Sequence, residues 1–379
     1  MDLVASRAYV DERRPIRHLD PVLMLTAIAL VVAGFLLVYS ATRRSLEQFG
    51  DDPGLFLKKQ IVFALIGMVL LLFVASFDYR FYKVYAGFAY VGTIVALVLV
   101  QTPLGSSSAG AQRWFEFAGF QVTPSEFAKI ALILMLASVF SEMRSVQPTM
   151  VDVVRAIGFA ALPMLLVLIQ PDIGTSIVLA AILGGILVVA GTKPRHLAAL
   201  ALAGVLLIGG IFRLHVIQEY QLDRLRTFLD QEGAPAALRY NLEQSLIAIG
   251  SGGITGQGYL QGRLTNLDFV PEQHTDFIFT AAGEEFGFVG STVILLLFAV
   301  LLWRAIRISY LSKDPFGTYL AAGVASMFAI QMFVNIGMTI GIMPITGIPL
   351  PFVSYGGSAM LANLAGVGLL LNVHMRRFK

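Results

Sequence analysis

Ten apolar runs, at roughly 21–41, 58–77, 81–101, 125–140, 154–169, 172–190, 197–212, 277–304, 318–342 and 351–374, alternate with polar breaks along the chain. A helix needs about 20 apolar residues to cross a bilayer, and only helices and closed barrels satisfy their backbone there. The runs lack the short polar–apolar alternation of barrel strands. The pattern predicts an all-α polytopic integral membrane protein with about ten transmembrane helices. The two runs beside Pro171, in "VLIQPDIGTSIVLA", read either as two spans or as one broken helix.

Composition agrees. The 379 residues are 57% hydrophobic and only 13% charged, against about 25% charged in an ordinary soluble domain. Apolar runs recur far beyond the N-terminus, so a signal peptide or single anchor does not explain them. The absence of cysteine excludes disulfides, thiolate nucleophiles and Cys-ligated metal sites.

Charge then orients the spans. With an even number of crossings and both termini cytoplasmic, sixteen Lys and Arg fall on the cytoplasmic side, beginning with Arg7, Arg13, Arg14 and Arg17. Six fall opposite, at Arg43, Arg44, Lys58, Lys59, Arg113 and Lys129. The longest loop is left out, because long loops obey this bias poorly. The net charge of +3 and pI near 9.1 therefore mark orientation rather than a nucleic-acid partner. We read one domain, 1–379, with a membrane core at 20–375 and a large extracytoplasmic loop at 213–276 between helices 7 and 8. Two further outer segments, 102–124 and the Pro-rich 342–358, are also long for linkers. Within the large loop, 212–230 reads as a polar extension of span seven. The stretch 240–262 reads as a short amphipathic segment followed by glycines that permit tight turns or close approaches.

Several charges need an explanation. In "PEQHTDF", Glu272, His274 and Asp276 precede span eight, and Glu284 and Glu285 follow inside it. Asp276 reads as a first-turn or capping carboxylate, or as one wall of an outward cavity, because carboxylates at membrane depth face a bundle interior or a polar space. Glu126 and Lys129, three apart on one helical face, form an ion pair or share such a cavity. Asp172 caps a restarted helix or marks a broken-helix site. Arg113 and Trp114 form an interfacial anchor or hold a phosphate. "GQGYLQG" lacks the context of a nucleotide loop, the five histidines make no zinc motif, and "SYGGS" lacks histidine and aspartate partners and more simply lets helices pack.

Four stretches, "QRWFEFAGFQVTPSEFAKI" (112–130), "QPDIGTSIV" (170–178), "GRLTNLDFVPEQHTDFIFTAAGEEFGFVG" (262–290) and "MPITGIPLPFVSYGGSAMLANLAGVGLL" (343–370), resemble the shape, elongation, division and sporulation family. The chain is most similar to the cell-elongation members. The resemblance implies a ten-helix peptidoglycan glycosyltransferase of the bacterial inner membrane, which joins the disaccharides of lipid II outside the membrane and releases undecaprenyl pyrophosphate. It implies a class B penicillin-binding protein and the elongation machinery as partners, and a divalent cation, Mg2+ or Mn2+. It places the essential aspartate at Asp276, and Glu126, Lys129, Arg113, Trp114 and Asp172 match its pattern. A carboxylate near the attacking 4-hydroxyl serves as general base, or holds the ion. Lys129 and Arg113 are candidates to neutralise the pyrophosphate, with Glu126 orienting Lys129 and with Glu272, His274 and Glu285 in support. A flippase for the same lipid and a non-catalytic scaffold for the transpeptidase are the rival readings.

Overall fold

A computed structural model describes residues 18–108, 111–117, 120–143, 147–213, 236–267 and 269–377. Among them are helices α1 (Pro21–Phe49), α2 (Leu55–Ser76) and α3 (Tyr79–Leu99), then strands β1 (Ser106–Ser108), β2 (Ala111–Phe117) and β3 (Phe120–Val122). Helices α4 (Pro124–Ser141), α5 (Met150–Ile169), α6 (Ile173–Val189) and α7 (Pro194–Arg213) follow, with α8 (Ala236–Ser251) and α9 (Arg263–Asn266) in the large loop. The chain closes with α10 (Ile278–Leu311), α11 (Pro315–Thr339) and α12 (Gly357–Met375). Eight of the long helices have the length and hydropathy to cross a membrane, and α6 is a shorter apolar helix of 17 residues. With α7 the long helices number ten among the described residues, as many as the expected spans.

Much of the scarce charge goes into starting helices. Asp20 accepts from the Leu23 amide, Asp78 from Arg80, Asp172 from Thr175 and Asp314 from Gly317, each satisfying an amide that a helix N-terminus leaves over. Gln170–Asp172 ends α5 and restarts the chain as α6, which packs back on it, so the runs beside Pro171 are two helices. Helix α12 is buried along nearly its whole length and α3 is mostly exposed, which places α12 at the centre and α3 at the edge. Exposed Leu65, Val69, Phe73, Val84 and Phe88 clothe the outside as lipid-facing residues do.

The ends predicted to share a side do so. At one end Arg304 pairs with Asp20, Asn372 accepts from the Tyr79 amide, and Arg376 donates to the carbonyls of Ala75 and Ser76. At the other, Ser40 meets Glu285 and Tyr355 meets His274.

Three expectations need correction. Segment 102–124 is not plain loop, because it holds the antiparallel sheet β1–β2–β3. The last span starts at Gly357 rather than 351, since 351–356 turn without forming helix. Helix α10 is broken at Gly287, with φ 63° and ψ −158°, a region open essentially to glycine alone. The segment after α8 mends the break. Gln257 and Gly258 donate to the freed carbonyls of Glu284 and Glu285 at 3.0 Å, and Phe288 and Val289 donate to Gly253 and Ile254 at 2.9 and 3.0 Å. The glycine run thus makes the close approach expected of it. A Cβ at 287 would stand 2.3 Å from the Gly256 nitrogen. Gly287→Ala should destabilise the protein by about 1–3 kcal/mol from backbone strain alone and raise protease sensitivity across 252–276. An unchanged melting temperature and cleavage pattern would reject that account. The proposed extension at 212–230 lies, beyond Arg213, outside the described residues.

Candidate functional site

At the end of the bundle that carries the sheet and the large loop, a polar cavity of about 460 Å³ opens between α2, β2–β3, the start of α4 and the 349–359 turn. Lys59, Glu116, Glu126, Thr275, Tyr355 and Ser358 are among its lining residues. A second, apolar groove of about 540 Å³ runs between α2, α3 and α4, with Leu70, Ala96, Phe127 and Leu134 in its walls. Strands β2 and β3 contribute to both, Phe115 and Val122 to the groove and Glu116 and Phe120 to the cavity.

Asp276 follows Thr275 at the cavity's edge and is half-buried. It is not the cap of α10, because Phe277 holds that position without a side-chain cap. Its backbone is held from both sides: its amide donates to the Glu272 carbonyl at 3.0 Å and its carbonyl accepts from Asn335 Nδ2 at 2.8 Å. Glu272 has φ 51° and an exposed side chain, and its carbonyl also accepts from Thr275 and Phe277. Its backbone shapes the turn. The His274 carbonyl accepts from the Tyr355 amide at 2.9 Å, and its ring lies 4.9 Å from Phe56 and 5.8 Å from Tyr355. His274 therefore ties the turn to the cavity wall.

Glu126 and Lys129 form the expected ion pair, at 2.7 Å and nearly closed to solvent, and Glu126 also lines the cavity. Three other candidates work elsewhere. Arg113 donates to the carbonyls of Gln170 and Pro171 at 2.8 and 2.5 Å, closing the end of α5. Trp114 pairs with Ser106 in the sheet. Asp172 accepts from the Thr175 amide and hydroxyl at 3.0 and 2.8 Å, so its capping reading holds. Glu285 is buried against Ser40 and away from the cavity lining. Gly357 packs on the Phe63 ring, as the small-residue reading of "SYGGS" expects.

Sequence reasoning missed Lys59 and Glu116. Phe56, Lys59 and Phe63 share one face of α2, a spacing visible in the string. Neighbouring Lys58 turns the other way to Asp52, whose carboxyl it holds below the usual range by hydrogen bonding. Among the described residues no three carboxylates or imidazoles gather into a cation cage.

The fold and site define a multi-pass helical membrane protein with a polar cavity at one end beside an apolar groove. The chain belongs to the FtsW/RodA/SpoVE family of cell cycle proteins, whose model matches residues 21–379. It is 38% identical to the peptidoglycan glycosyltransferase MrdB of Escherichia coli K12, over 95% of this chain and 94% of that one. It is 37% identical to the stage V sporulation protein E of Bacillus subtilis, over 93% and 96%. Among solved structures, one described as the structural coordination of polymerization and crosslinking by a peptidoglycan synthase complex is similar with TM-score 0.80 at 29% identity, over 95% of this chain and 99% of that one. The rod-shape-determining protein RodA of Thermus thermophilus, in an aspartate-to-alanine form, is similar with TM-score 0.70 at 28% identity, over the same shares.

Proposed function

We propose that this peptidoglycan glycosyltransferase polymerises lipid II at the outer face of the bacterial inner membrane during cell elongation. The observation that carries the proposal is a polar cavity that holds Lys59 and Glu126, adjoins an apolar groove and is lined by Thr275, the chain neighbour of Asp276. A polyprenyl chain suits the groove, and a sugar pyrophosphate suits the cavity. Asp276 takes the proton of the incoming 4-hydroxyl as that oxygen attacks the anomeric carbon, and the pyrophosphate leaves with the bonding electrons. Lys59 meets the charge of the leaving group, while the buried Glu126–Lys129 pair fixes the cavity floor.

The implied divalent ion fits as a companion of the substrate. Among the described residues no group of three carboxylates or imidazoles offers a cage; in the alternative role that the resemblance allows Asp276, its carboxylate would hold the ion instead of taking the proton. When bound it supplies further charge neutralisation. The charge bias supports an extracytoplasmic position for the cavity. The likeness to a complex of polymerization and crosslinking supports a transpeptidase partner, a class B penicillin-binding protein.

Purified protein given labelled lipid II, with and without the transpeptidase and Mg2+, should yield glycan polymer. Lipid moved across vesicles with no polymer in any arm would favour the flippase. Lys59→Met should lower kcat/KM about 10- to 100-fold, the value of a hydrogen bond to a charged group. Lys58→Met, on the Asp52 side, should change it little; equal effects from both would remove Lys59 from the site.

A further inference from the structure

We propose that Glu284 is a positioning residue for Asp276, acting through Thr265 and Gln273. This inference rests on the proposed function.

Glu284 lies in the first half of α10 and is fully buried, beside the buried Glu285, which accepts from Ser40 on α1 instead. Both its oxygens are taken by α9. Oε1 accepts from the Leu264 amide at 2.7 Å, and Oε2 accepts from the Thr265 amide at 2.9 Å and the Thr265 hydroxyl at 2.7 Å. The hydroxyl gives its proton to Glu284 and so has lone pairs to offer. One of them accepts from Gln273 Nε2 at 3.0 Å. Gln273 is itself buried, and it sits inside the turn whose carbonyl at Glu272 collects the amides of Thr275, Asp276 and Phe277.

A buried carboxylate therefore reaches Asp276 by two routes that close on each other. One is the rigid half-helix from Ile278 to Glu284, and the other is the relay through Thr265 and Gln273. Together with Asn335 on the Asp276 carbonyl, they leave the turn no free direction. The charge is needed because three donors converge on one group. A carboxylate offers lone pairs on both oxygens, whereas an amide would aim an NH2 at a backbone N–H. The helix break serves the same end, since the backbone bonds at Gln257 and Gly258 hold the strand that leads into α9.

The test compares polymerisation kinetics and hydrogen exchange in the full-length protein with its transpeptidase. Glu284→Gln should lower kcat on the order of 100-fold, the effect of about 1 Å of misplacement, with KM little changed. Amides from 264 to 276 should exchange faster. Thr265→Val should act in the same direction and Thr265→Ser should restore activity, a contrast that remains readable if Glu284→Gln fails to fold. Gln273→Ala should add little to Thr265→Val, because both cut one relay. Glu243→Gln, at the exposed Arg239 pair on α8, should behave as wild type. Wild-type kcat in Thr265→Val, or additive losses in the double variant, would overturn the inference. If Asp276→Asn polymerises normally, the proposed function itself fails; if Asp276→Asn is inactive while Thr265→Val has full kcat, only the positioning role fails.

Discussion

Asp276→Asn is expected to lower glycan polymerisation by about 10²- to 10⁴-fold, the usual contribution of a positioned general base. The variant should remain folded and bind its transpeptidase. Asn has nearly the same shape, and the substitution leaves in place two of the contacts that hold the turn, those of the Asp276 backbone amide and carbonyl. Asp276 is also only half-buried, so little core packing is lost. The measurement is polymer length and yield from labelled lipid II, with thermal unfolding in detergent as the control. Normal polymerisation by the folded variant would remove Asp276 from the chemistry. Rescue of growth by the same variant would point to the scaffold reading.

Lys129→Met is expected to give the largest loss of stability. The ammonium and the Glu126 carboxylate are paired at 2.7 Å, with side chains 1% and 9% exposed. Removing one member leaves the other charged in a place with little water, which typically costs about 3–5 kcal/mol. Met fills the same volume, so the loss should be electrostatic rather than steric. The double variant Lys129→Met/Glu126→Gln should recover most of the stability, because neither half then carries a stranded charge. Its polymerisation should stay low, since Glu126 lines the cavity. Melting curves of the two variants check this. A single variant that melts like wild type would show that the pair contributes nothing.

Much of the membrane fold was legible in the string. Each span rests on a local property, the length of an apolar run. The ion pair at Glu126 and Lys129 was legible for the same reason, as was the cap at Asp172, because residues three apart on a helix meet wherever the helix goes. Arg113 was not legible. Its role depends on the carbonyls of Gln170 and Pro171, which the fold brings to β2 from far along the chain. Lys59 was hidden differently, since two adjacent lysines look equivalent until the turn of α2 sends one to Asp52 and the other to the cavity. The broken helix at Gly287 was missed because the apolar pattern continues across it. Only the backbone of 253–258, arriving from another segment, makes the break affordable.

By itself, then, the sequence determined the apolar runs, the charge bias between them and the family resemblance that singles out Asp276, because runs and motifs are carried by residue type and short-range spacing. The tertiary structure alone decided which charges face the cavity and which close helix ends. It also decided how Glu284 and Glu285 come to be buried, because a charge at membrane depth takes its role from whatever donors the fold delivers to it.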